Sequence, residues 1–142
     1  MKKIISIVLA VALIFALAVT AMAAEIAECT VSADSVSAGK TVTVPVRITG
    51  NRGFTNFGIA LDYDRAQLEL LSIQTAAGET PYLCGAVAAG NTQWTGADGK
   101  TYGYVTAALE DAVTEDGILF TATFRVSEDF SGTAAVQPVG QY

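Results

Sequence analysis

The residues of this chain able to do acid–base or metal chemistry are almost all carboxylates, and they come as near neighbours: Asp62/Asp64, Glu110/Asp111, Glu115/Asp116 and Glu128/Asp129. There is no histidine. That removes the Ser-His-Asp and Cys-His arrangements, most zinc sites and the commonest general base. No glycine-rich loop opens a helix to cradle a phosphate, and nothing basic adjoins Cys84 to activate its thiol. Glycoside hydrolysis needs two carboxyls facing each other across a sugar, one with a raised pKa. Adjacent acids on a strand point to opposite faces and acids in turns are solvated, so each pair fits a surface role. In residues 54–73, "FTNFGIALDYDRAQLELLSI", Asp64 caps the turn after Tyr63 and Asp62 faces water. The acidic runs 110–116 and 128–129 lack the alternating ligand spacing of a calcium loop. The chemistry points to binding without catalysis, with no metal or cofactor held by this chain.

The elements that carry these residues read at period two. Val42, Val44, Val46 and Ile48 share one face of a strand over 41–48, and Pro45 belongs at a sheet edge or beside a bulge. Phe57, Ile59, Leu61 and Tyr63 alternate with Gly58, Ala60 and Asp62; residues 68–74 form another strand, and 65–68 a single helical turn. Over 102–109, Tyr104, Thr106 and Ala108 oppose Val105, Ala107 and Leu109. Ile118, Phe120, Ala122, Phe124 and Val126 point inward from the next strand, and 133–136 is a last short one. Between the strands stand turn signals such as Asn51-Arg52-Gly53, Asp98-Gly99 and Asp116-Gly117, which tolerate the positive φ of tight connections. The irregular segment 76–101 holds a weak strand flanked by loops. Short strands at this spacing predict an all-β, two-sheet β-sandwich.

Lys2-Lys3, the apolar run Ile4–Val19 and Ala21-Met22-Ala23 make residues 1–23 a secretory signal peptide, with a retained anchor as the alternative, and leave one domain over 24–142. Cleavage removes two lysines and no acid, leaving six basic and fourteen acidic residues. That balance opposes nucleic acid and anionic membranes as partners and fits a secreted, extracellular protein with no membrane contact once the signal is gone. Cys29 and Cys84 are either a disulfide staple or two free thiols. Trp94, with Tyr82 and Tyr102, is a candidate platform for polysaccharide; otherwise Tyr102 is core and Trp94 a loop residue.

Three motifs in order resemble the cohesin domain, the receptor module of cellulosome scaffolds, and lie closest to its type I members. "SAGKTVTVPVRIT" is similar to the family's opening strand, "TNFGIALDYDRAQLELLSI" to its long strand ending in Tyr-Asp, and "ALEDAVTEDGILFTATFRV" to its Glu-Asp loop, Asp-Gly turn and following strand. The resemblance spans roughly residues 31–136 and is loose between the second and third motifs. It implies a nine-stranded jelly-roll topology whose last strand this chain, stopping soon after Val139, does not account for. It implies a partner too: a helical, calcium-loaded dockerin carried by an enzyme or scaffold protein, received on one sheet face, the calcium belonging to the dockerin. Carried onto this sequence, the face comprises Asn56, Gly58 (where type I members often have Asp), Trp94, the outward apolar row Val105, Ala107 and Leu109, and Glu110. The other readings are a sandwich that contacts polysaccharide directly through Trp94, and a surface or adhesin subunit completed by a donated strand.

Overall fold

Alternating apolar residues leave most of the strands with one face to bury, and two antiparallel sheets packed face to face bury it. The computed structural model describes residues 25–26, 29–32, 35–76 and 82–141; the signal peptide expected over 1–23 lies outside them. Among the described residues the strands are β1 (Glu25–Ile26), β2 (Cys29–Ser32), β3 (Thr41–Thr49), β4 (Phe54–Tyr63), β5 (Leu68–Gln74), β6 (Ala89–Thr95), β7 (Thr101–Val113), β8 (Gly117–Val126) and β9 (Thr133–Gln141). A single 3₁₀ turn, Gly85–Val87, precedes β6. One sheet has the order β1-β3-β8-β5 and the other β2-β9-β4-β7-β6. Phe120, Phe124, Ile48, Ile59, Leu61 and Leu68 are the largest side chains sealed between them.

The expected alternation holds in β3, β4 and β8, with one interruption. Val46 pairs with Phe120 but Arg47 with Ile118, so Leu119 is an extra residue in β8. This bulge lets Leu119 and Phe120 both face the core, at 1% and 0% exposure, while Ile118 is only half-buried. Pro45 lies one residue from the shift, beside the bulge. The turn after β4 forms as expected: Asp64 Oδ1 accepts the Ala66 N–H at 2.8 Å, and the Gln67 and Leu68 N–H groups donate to the Asp64 carbonyl.

Two expectations are corrected. The last strand does not end at Val136: it runs to Gln141 and fills the place between β2 and β4. Val105 and Ala107 do not face outward. Val105 is fully buried, Ala107 is 4% exposed, and Leu109 is half-buried against the core. The pairing of β4 with β7 decides it. Ile59 lies opposite Val105 and Phe57 opposite Ala107, and paired residues share a face, so the inward set of β4 carries the odd residues of β7 inward with it. Tyr104, Thr106 and Ala108 take the outer face. Of the two cysteines, Cys84 is a buried free thiol, whose pKa burial pushes up; for Cys29 only the backbone is described.

Candidate docking face

The outer face of β9-β4-β7-β6 is where the expected site residues gather. Asn56, Gly58, Trp94, Tyr104, Thr106 and Val139 line one shallow depression, with Ala60, Ala108 and Gly140 completing its floor. Strand register builds it: Asn56 stands opposite Ala108, Gly58 opposite Thr106, and Ala60 lies between Tyr104 on β7 and Val139 on β9. Val139 is 53% exposed, a large aliphatic side chain open to water in the middle of a sheet face. The Thr106 hydroxyl donates to the Phe57 carbonyl at 3.0 Å, tying its side chain across to β4.

One end of the face is shaped by irregular pairing. Between Phe54/Val113 and Asn56/Ala108, two steps along β4 are met by five along β7, so β7 carries three extra residues there. Glu110, Asp111 and Ala112 are pushed out and exposed. On β4 the same irregularity leaves Thr55 and Asn56 exposed in succession between the buried Phe54 and Phe57. Glu110 therefore projects beside the depression and lines a neighbouring hollow with Val87, Ala108 and Leu109. The protrusion is anchored behind by Asp116, whose carboxylate accepts the Gly50 and Asn51 N–H groups at 3.0 and 2.8 Å. The Asn51 side-chain amide in turn donates to the Val113 and Glu115 carbonyls at 3.0 and 2.9 Å. Asp116 thus serves the fold, while Glu110 is exposed at the surface.

The other end is aromatic. Trp94, 36% exposed, stacks on Tyr104 with ring centroids 4.5 Å apart and planes 21° from parallel, and Tyr102 lies 6.2 Å away. Tyr102 donates its hydroxyl to Asp98 at 2.6 Å. That bond, with the Lys100 N–H, holds the Asp98 carboxyl below its ordinary range and raises the Tyr102 phenol. Arg65 sits 5.9 Å over the Tyr102 ring and 5.5 Å over Tyr63. Trp94 is a strand residue of β6, paired with Tyr102, and Tyr102 belongs to the outer, half-buried set of β7.

Chemically, this is a surface for contact. Among the described residues no three His, Cys, Asp or Glu side chains gather as metal ligands. The outer face brings together four of the expected residues, Asn56, Gly58, Trp94 and Glu110; Ala107 borders the depression but is buried, and Val105 lies in the core. Tyr104, Thr106, Ala108 and Val139 belong to the outer face although the sequence reading placed the first three inward and ended the last strand before the fourth.

The model of the cohesin domain family matches residues 27–141. Among solved structures, the complex of CaDoc0917 with CaCohA2 is similar at a TM-score of 0.56 and 18% identity, over 72% of this chain and 73% of that one. The Coh-OlpC–Doc435 complex of Clostridium thermocellum, a type I cohesin–dockerin complex, is similar at a TM-score of 0.53 and 17% identity, over 84% of this chain and 85% of that one. At such identities these likenesses bear on the fold. No curated protein matches the chain.

Proposed function

The chain belongs to the cohesin domain family, and from that premise we propose that it is a secreted, non-catalytic receptor whose outer β9-β4-β7-β6 face receives a calcium-loaded dockerin. Its role is then to gather dockerin-bearing, polysaccharide-degrading enzymes onto a scaffold. The observation that carries this reading is the depression itself: uncharged groups from four neighbouring strands, with Val139 exposed among them and Glu110 beside them. Interfaces are built this way, with an apolar, charge-depleted centre and a polar rim. Asn56 supplies a hydrogen-bonding group at the same end as Glu110.

Calorimetry against a panel of calcium-loaded dockerins, repeated with chelator, tests it. Binding is expected with calcium and not without, and Glu110→Ala lowers affinity about tenfold, the loss of one charge-assisted contact worth about 1.4 kcal/mol. A folded domain that binds none of the panel sinks the reading. The Trp94–Tyr104 stack on this face favours a second reading, direct contact with polysaccharide. In that case Trp94→Ala abolishes binding to insoluble polysaccharide while Glu110→Ala leaves it intact.

A further inference from the structure

This inference rests on the receptor reading and concerns how the face selects its partner. Gly58 stands in mid-strand on β4, and its backbone is not among those with positive φ, so the chain's conformation does not demand glycine there. A side chain demands it. A Cβ at residue 58 would run into the Tyr104 phenol oxygen and come within 3.1 Å of Tyr104 Cζ. Tyr104 therefore reaches from β7 across Gly58 and lies where a residue-58 side chain would otherwise rise from the sheet. Trp94 backs it in a near-parallel stack.

We propose that Tyr104 is the specificity-determining residue of this face, with Gly58 as its seat and Trp94 as its support. It replaces a contact from residue 58 with a flat, uncharged one, and so selects a partner segment whose central side chain is small or aliphatic and carries no charge. The surroundings agree: Asn56, Ala60, Thr106, Ala108 and Val139 offer no counter-charge, so a charged group docked among them loses its water for nothing.

The test is a double-mutant cycle of Gly58→Ala, Tyr104→Ala and the pair, titrated with a calcium-loaded dockerin that binds the wild type. Each single change is expected to weaken binding at least tenfold, and the pair no more than twofold beyond Tyr104→Ala alone, since displacing a ring already removed has no effect. Gly58→Ala should leave the thermal midpoint near that of the wild type, because alanine suits an extended backbone at least as well as glycine. A charged substitution at the dockerin's central contact should weaken wild-type binding at least tenfold. Gly58→Ala binding like wild type, losses that multiply in the pair, or a midpoint that falls in step with affinity overturns the assignment to Tyr104 while leaving the receptor reading in place. A folded wild type that binds no dockerin overturns the receptor reading, and this inference with it.

Discussion

Two residues of β7 should answer to different measurements, because Val105 and Ala108 lie on opposite faces of the same strand. Val105 is fully buried opposite Ile59. Val105→Ala deletes two methyl groups from that contact, about 1.6 kcal/mol of transfer free energy at about 0.8 kcal/mol each. The cavity left in a close-packed interface raises the loss to about 2–3 kcal/mol. For a domain matched over residues 27–141, unfolding entropy near the midpoint is about 0.24 kcal/mol/K at about 2.1 cal/mol/K per residue. The midpoint should therefore fall by about 8–12 °C, read by far-UV circular dichroism, with affinity for a bound partner unchanged below the transition. Ala108→Glu does the reverse. Ala108 is exposed on the docking face, so the midpoint should move by less than about 2 °C, as surface changes do, while an unpaired carboxylate in the contact centre abolishes binding. A Val105→Ala protein of native midpoint and weakened binding would refute the assignment of faces, and with it the register argument from β4.

Two further outcomes follow from side chains at the edges of the face. Asp116→Ala removes both acceptors of the Gly50 and Asn51 N–H groups; with the site exposed, the loss should be about 1–2 kcal/mol in urea unfolding, with Asp116→Asn recovering part of it. An unmoved midpoint for Asp116→Ala means the 50–53 loop is held by something else. Asp98 and Tyr102 give a pH signature with opposite signs at its two ends. The Asp98 carboxyl is depressed below 3.8, so its contribution is present above that value and fades as pH falls through the lower, folded-state value. The Tyr102 phenol is raised above 10.0, so its contribution is present below that value and fades as pH rises through the higher one. Emission from Trp94, the sole tryptophan and 6.2 Å from Tyr102, should be flat between and show an acid transition centred below 3.8 that Tyr102→Phe moves upward. A midpoint at or above 3.8 in the unaltered protein contradicts the hydrogen bond.

Strand positions were legible because they are local. Val44, Val46 and Ile48, or Phe120, Ala122 and Phe124, state their inward face by repetition alone, and Asp64 states its turn by standing just after Tyr63. The face of β7 was legible in principle: Val105, Ala107 and Leu109 are all aliphatic, and β4 already presented Phe57 and Ile59 inward. What obscured it was a bulge. Three extra residues between Ala108 and Val113 shift the relation between the Glu-Asp segment and the strand before it, so outwardness at Glu110 says nothing about Leu109. The end of the chain failed for another reason. Pro138 interrupts the 133–141 run and Gly140 follows it, yet Pro138 pairs with Leu61 and Gly140 with Ile59, a partnership between distant segments that no local pattern reveals. Tyr104 was invisible as a site residue because its role depends on the missing side chain of Gly58, two strands' worth of information at once.

The place of β9 has a bearing on how this molecule is made. β9 is the last of the described strands but lies inside its sheet, bridging β2, whose paired residues are more than one hundred positions earlier, and β4. Neither neighbour can complete its ladder until Thr133–Gln141 has left the ribosome. Contacts of such long range slow folding, and a nascent chain holding β4 exposed on one edge offers a free ladder to other chains in the meantime. Synthesis thus cannot lock the sandwich early. The outer face of β9-β4-β7-β6 therefore takes shape only once β9 is in place.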